Sequence, residues 1–261
     1  MDTLSAASDP CAHLTAFPPD PGLFSVVLSV FNEAENVPSV LNEALAVLPA
    51  LGRFEIVCVD DGSTDATPAL LAGLAAAHPP LRVIRLAGRC GKSGAVRFGV
   101  AASRGALVGT MDGDGQNDPA DLVAMLRALQ GAGAPYPLVA GIRRRRTDGV
   151  WRLLATRFAN GLRQRLLDDG CPDTGCGLKA FPRDAYLRLP AFEGQHRFLP
   201  ALFKSYGHGL VCLPVNDRKR LQGSSKYTNL GRALVGIRDL MGVIWLRRRT
   251  RLPSGVTEIG R

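Results

Sequence analysis

The chain has 261 residues, with 32 Lys and Arg against 23 Asp and Glu, giving a formal net charge of +9. Hydrophobic residues at 46% and charged residues at 21% suit a globular chain and exclude wholesale disorder, a collagen-like repeat and a coiled-coil rod. Six scattered cysteines make neither a disulfide framework nor a zinc site, and residues 1–21 lack the basic and apolar regions of a secretory signal.

Residues 1–22 carry four prolines and are expected to be a disordered leader. Order is expected to begin at Phe24–Val30, a β-branched apolar run fit for a buried strand. A helix follows over 35–48, with Pro38 tolerated in its first turn. Phe54–Val59 reads as a second strand ending in Asp60-Asp61-Gly62-Ser63, and Asp65 is placed to cap a helix that runs to Ala77. Leu81–Leu86 is a third strand, 91–104 is mostly helical, and Ala106–Met111 is a fourth strand. The turn 112–119 comes next, then a helix over 120–130 capped by Asp118 and Pro119, then a short fifth strand at Leu138–Ala140. Strands alternating with helices predict an α/β fold, a mostly parallel sheet with helices on both faces.

Beyond residue 141 arginine becomes dense, at Arg143 to Arg146, Arg152, Arg157, Arg163 and Arg165. A Gly-rich turn at Asp173–Gly177, a basic segment at Asp217–Tyr227 and an apolar-basic helix over 229–249 complete the chain. The organisation expected is a leader at 1–22, one domain over 23–227 and a basic helical segment over 228–261. No apolar run reaches the ~18–20 residues that a membrane span needs. The positive balance calls for an anionic partner: nucleic acid, a phosphorylated small molecule or a membrane surface.

Ligands of parallel α/β sheets sit beyond the carboxyl ends of the strands. Three acidic clusters fall there: Asn32/Glu33, Asp60/Asp61 and Asp112/Asp114. Carboxylates converging on one edge are costly unless a cation or hydrogen-bond donors neutralise them. Helix capping accounts for Asp65 and Asp118. Asp112 and Asp114, one residue apart in a Gly-rich turn after a strand, suit a hard divalent cation, Mg²⁺ or Mn²⁺, bridging to a diphosphate. Gly113 and Gly115 would let that turn come close to it. Arginine supplies planar bidentate donors for phosphates, and Arg143 directly follows the fifth strand, whereas Arg144 to Arg146 fit a solvated patch equally well. Two short motifs are set aside. Gly91-Lys92-Ser93 lacks the first glycine of a phosphate-binding loop, where Leu86 stands, and Gly175–Ala180 lacks the strand that a dinucleotide fingerprint follows.

Ser29–Glu33, Val59–Ser63, Met111–Gln116, Asp173–Lys179 and Arg220–Tyr227 stand in one order along residues 23–245. In that order they resemble the family 2 glycosyltransferases of GT-A fold, a Rossmann-like architecture, in the dolichol-phosphate mannosyltransferase (polyprenyl-phosphate glycosyltransferase) branch. The resemblance implies an inverting transfer of a sugar from a nucleoside-diphosphate sugar, of GDP-mannose or UDP-hexose type, to a polyprenyl phosphate with Mg²⁺ or Mn²⁺. It implies Glu33 and Asp60 toward the nucleotide base, and Asp112, Asp114 and Gln116 on metal and donor. Arg143 would approach the phosphates, Arg152 and Thr156 the acceptor phosphate, and Arg220 and Lys226 would close a loop over the diphosphate. Asp173 would position donor or acceptor, so the expected catalytic set is Asp114, Asp173, Arg152 and Arg220. An acceptor phosphate is already anionic, so catalysis would rest on positioning and charge neutralisation. Two departures stand out: glycines at 113 and 115, and Phe31 where the family usually carries Tyr.

The helix over 230–246, followed by Arg247, Arg248, Arg249 and Arg251, either lies on an anionic bilayer with Trp245 at headgroup level or packs on the sheet. The corresponding location is cytoplasmic, peripheral on the inner face of the cell membrane. One alternative keeps the fold and takes a glycan or small-molecule acceptor, with Gln195–Phe198 as a faint trace of its motif. The other is a basic nucleic-acid-binding module, which leaves Asp112 and Asp114 unexplained and offers few aromatics, so nucleic acid is not an expected partner. The sugar, the base, the lipid length and homo-oligomerisation stay open.

Overall fold

Strand β1 (Asp20–Val30) lies inside the sheet, with strands on both sides, and its side chains alternate between two cores. Phe24, Val26, Leu28 and Val30 face one cluster and Val27 the other, the period of two that a strand buried on both sides imposes. The structure is a computed structural model and describes residues 18–144, 161, 163–218, 229–251, 253 and 257, with only the backbone over 229–234.

Six further strands complete the sheet: β2 (Phe54–Asp60), β3 (Leu81–Arg85), β4 (Gly105–Asp112), β5 (Leu138–Arg143), β6 (Lys179–Pro182) and β7 (Leu210–Val215). Their order is β3-β2-β1-β4-β6-β5-β7, and β6 alone runs antiparallel to its neighbours. One face carries α1 (Val37–Val47), α2 (Thr67–Ala77) and α4 (Pro119–Ala132), packed through Leu41, Leu71, Leu122 and Leu126. The other face carries α3 (Gly91–Ala102), α5 (Arg183–Leu187), α6 (Leu199–Ser205) and α7 (Asn229–Arg249), packed through Val96, Tyr186, Phe203 and Val243. Each fully buried aliphatic or aromatic side chain stabilises the fold by about 1.5–3 kcal/mol relative to an exposed one.

The structure corrects four expectations. Strand β1 starts at Asp20, inside the expected leader, where the Asp20 N–H bonds Arg104 O and its carboxylate takes Gly22 N–H and Arg53. β6, β7, α5 and α6 were absent from the reading, since each is seven residues or shorter and shows no periodicity. Asp65 does not cap by the usual geometry. Its Oδ1 takes the Thr67 N–H and its Oδ2 the Ala34 N–H, so it ties α2 to the loop after β1. Gly113 serves packing, because a Cβ there would strike Val30, whereas Gly115 turns the chain at φ +79°. Asp118 caps α4 as expected, accepting the Ala120 N–H at 3.0 Å.

Candidate active site

Sheet register brings the acidic residues together. Asp60 pairs with Val30 and Asp112 with Ser29, so the carboxyl ends of β2 and β4 flank that of β1. Asp60 is fully buried: its Oδ1 accepts the Ser63 N–H at 2.9 Å, while its Oδ2 has no hydrogen bond among the described residues, with Arg85 Nε 3.5 Å away. Beside it a cavity of about 510 Å³ is lined by Gly62 to Thr64 and Arg85 to Ala87. Glu33 turns toward its own loop, accepting from Asn36 Nδ2 at 2.6 Å. Asp61 accepts the N–H groups of Cys90 and Gly91, which fixes the N-terminus of α3 at this edge.

That anchoring has a consequence for Lys92, in the first turn of α3. Its Nζ lies 2.5 Å from Asp112 Oδ1, so the segment set aside as an incomplete phosphate loop supplies a cation to the site. Burial pushes the Asp112 carboxyl up, and Lys92, Lys179 and Arg143 together bring it below its ordinary value. The Asp112 N–H is held by Asn117 Oδ1 at 2.8 Å, and Gly177 packs directly on the carboxylate. Asp114 Oδ1 accepts the Gln116 N–H at 3.1 Å, and Gln116 is zipped to Arg218 through both backbone and side chain.

Arg143, at the end of β5, meets Asp173 with its fork: Nε to Oδ2 at 2.8 Å and Nη2 to Oδ1 at 2.9 Å. The Asp173 turn is held from below. Lys179 is buried and donates to the carbonyls of Thr174 and Cys176, while Arg163 ties Asp169 and the Cys171 carbonyl. Burial lowers the Lys179 ammonium below its usual value, with Asp112 opposing that shift. Arg152, Thr156, Arg220 and Lys226 lie outside the described residues, as do Arg145, Arg146 and Arg157.

The residues present fit a divalent cation of the kind held jointly by protein and diphosphate. Among the described residues no group of three or more His, Cys, Asp or Glu side chains makes a complete cage. Asp112 and Asp114 supply two carboxylates on one turn, the number Mg²⁺ takes when substrate phosphates complete its shell. The sequence reading gave Lys92 and Lys179 no role, although Lys92 follows Gly91 at the start of a helix and Lys179 closes the Asp173–Lys179 motif.

The family model for glycosyl transferase family 2 matches residues 25–189. An undecaprenyl-phosphate 4-deoxy-4-formamido-L-arabinose transferase of Edwardsiella ictaluri is 34% identical over 206 residues, 78% of this chain and 62% of its own length. A dodecaprenyl-phosphate galacturonate synthase of Rhizobium johnstonii is 33% identical over 240 residues, 88% of this chain and 69% of its own. The chain thus spans between three-fifths and seven-tenths of these relatives. Glucosyl-3-phosphoglycerate synthase of Mycobacterium tuberculosis, solved with Mn²⁺, uridine diphosphate and glucosyl-3-phosphoglycerate, superposes with a TM-score of 0.65 at 22% identity, covering 86% of this chain and 79% of that one. It shares the fold expected from the motifs, a mostly parallel sheet between two helical layers. With the motif order, the acidic edge and the matched span in agreement, the chain belongs to glycosyl transferase family 2.

Proposed function

We propose that the protein transfers a sugar, with inversion, from a uridine diphosphate sugar to a polyprenyl phosphate. The observation that carries this is the single edge on which Asp60, Asp112 and Asp114 meet Lys92, Arg143 and Lys179, a carboxylate row balanced by cations. Asp60 supports the choice of base. Its buried Oδ2, with no hydrogen bond among the described residues and Arg85 Nε 3.5 Å away, matches the single imide N–H of uracil, whereas guanine presents two adjacent donors and cytosine an acceptor in the imide position. A mannosyl donor is not favoured, and the relatives' names carry a formamido-arabinose and a galacturonate.

In the transfer, an acceptor phosphate oxygen forms a bond to the anomeric carbon as the bond from that carbon to the diphosphate breaks. The electron pair leaves on uridine diphosphate. A bound Mg²⁺ or Mn²⁺ would neutralise that leaving group. Asp112 and Asp114 would hold the donor end, Lys92 would add positive charge beside it, and Arg143, fixed by Asp173, would present the far side of the site. Arg152, Thr156, Arg220 and Lys226 stay assigned to the acceptor phosphate and the closing loop.

Lipid acceptors place the work at a membrane, and α7 supports a peripheral seat on the inner face of the cell membrane. Its outer face exposes Ile237, Met241 and Trp245 at 56%, 60% and 62%, with Arg238, Arg248 and Arg249 alongside. No helix among the described residues is long and apolar enough to cross a membrane.

A thermal-shift series with UDP, GDP, CDP and TDP, each with and without Mn²⁺, tests the donor reading. Stabilisation by UDP only when Mn²⁺ is present is expected. Stabilisation by GDP instead overturns the base assignment, and no shift with any nucleotide overturns the site.

A further inference from the structure

Helix α7 reaches the donor edge through side chains from three separate parts of the chain. Asp239, on its packed face, accepts from Arg197 Nη2 at 2.6 Å. Arg197 ends the short turn Gln195–Arg197, which the chain enters at Gly194 with φ +84°. A Cβ on Gly194 would stand 2.7 Å from both Arg197 Nη2 and Asp239 Oδ2, so the ion pair is built directly over the glycine. The neighbouring His196 grips Ser93: Nδ1 lies 2.7 Å from the Ser93 Oγ, which also accepts the His196 N–H at 3.3 Å. Burial, aided by Lys92, Lys179 and Arg197, holds the imidazole well below its ordinary pKa and therefore neutral. Ser93 adjoins Lys92, whose ammonium sits on Asp112.

We propose that Asp239 is a positioning residue for the donor site. By holding Arg197 it fixes the turn at 194–197; the turn fixes the first turn of α3 through Ser93, and Lys92 is thereby aimed at Asp112. This rests on the reading of Asp112 as the donor carboxylate. A surface ion pair that merely fastens α7 would contribute little to stability and nothing to donor affinity. Here Asp239 is largely enclosed, the Arg197 Nε is buried, and the pair stands at the root of the line to Lys92.

The test measures UDP binding in the presence of Mn²⁺ by titration calorimetry on the full chain, with melting temperature recorded alongside. Asp239→Asn is expected to weaken binding about tenfold, the loss typical of a slightly misplaced polar group. Asp239→Glu keeps the charge and is expected to recover most of it. Gly194→Ala leaves both charges in place and is expected to reproduce the loss. The double variant Asp239→Asn with Arg197→Gln should bind no worse than Asp239→Asn alone, because the two residues act as one unit. If Asp239→Asn lowers the melting temperature while UDP affinity stays at the wild-type value, the pair only fastens the helix and the proposal fails. If Asp239→Asn does not fold, Gly194→Ala and Asp239→Glu decide the matter by the same affinity. Wild-type protein that binds no UDP with Mn²⁺ overturns the donor-site reading itself, and this proposal with it.

Discussion

Arg143 and Asp173 are joined by three donors on one carboxylate: the Arg143 Nε, its Nη2 and its own backbone N–H, the last at 3.3 Å from Oδ2. Both side chains are largely enclosed, at 21% and 10% exposure. The pair therefore fixes the direction of the guanidinium as well as its charge. Arg143→Lys keeps the charge and loses the fork, and is expected to lower transfer at least tenfold with little change in the urea midpoint. Asp173→Asn leaves a guanidinium without its counter-charge and is expected to cost about 2 kcal/mol of stability in urea unfolding. An Asp173→Asn protein as stable and as active as wild type would remove this pair from the site.

Asp114→Ala is expected to abolish the Mn²⁺-dependent stabilisation by UDP while leaving the urea midpoint within about 0.5 kcal/mol of wild type. Asp114 lies on a turn that leads into α4 rather than in the core. A variant that still binds UDP in a metal-dependent way would sink the metal assignment.

Gly177→Ala and Gly131→Ala make a contrast within one protein. A Cβ at 177 would collide with the Asp112 carboxylate and stand 2.8 Å from Asn117 Oδ1, whereas at 131, in α4, it meets nothing within 4 Å. Gly177→Ala is expected to lose about 1–3 kcal/mol and most nucleotide binding. Gly131→Ala is expected to be neutral or to gain up to about 1 kcal/mol. Equal behaviour of the two by melting and by UDP titration would show that the approach of residue 177 to Asp112 has no consequence.

His196 predicts a pH dependence of stability. Its folded pKa is held well below 6.5, by burial first and then by Lys92, Lys179 and Arg197. The unfolded chain takes up a proton near 6.5 and the folded chain does not, so this residue's stabilisation is full above that pH and declines below it. The slope reaches at most about 1.4 kcal/mol per pH unit for one proton. Urea midpoints from pH 7.5 to 5 should fall more steeply for wild type than for His196→Gln. Asp112 contributes outside this window: its lowered carboxyl pKa stabilises the fold above the usual carboxylate range and is lost only in stronger acid. Parallel curves for the two proteins would count against a neutral, buried imidazole.

Replacing Met241 and Trp245 by Glu is expected to cut sedimentation with anionic liposomes several-fold while the melting temperature is kept, because both side chains point away from the core. Unchanged sedimentation would move the membrane contact elsewhere.

Much of the donor half was legible because its signals are local. β2 and β4 are apolar runs that end at Asp60 and Asp112, the carboxylates of the proposed donor edge. The half after residue 141 resisted for physical reasons. β6 has four residues, and its burial comes from β4 and β5 rather than from any pattern of its own. Lys179 looks like a surface lysine in sequence and is buried in space, where the carbonyls of Thr174 and Cys176 accept from it. Lys92 was readable as the cation of a Gly-Lys-Ser turn but was dismissed for a missing glycine, although Asp61, rather than a glycine cradle, shapes the start of α3.

The inserted antiparallel strand β6 sets the order in which the molecule comes to electrical balance. Asp60, Asp112 and Asp114 are all in place once the first 114 residues have joined the sheet, but Arg143 and Lys179 enter only with β5 and β6. A ribosome releases the chain from its N-terminus, so Asp112 emerges with Lys92 but before Arg143 and Lys179. The carboxylates of the proposed donor edge are thus encoded ahead of two of the three cations that lower Asp112, and a fragment ending before β5 would hold Lys92 alone among those three.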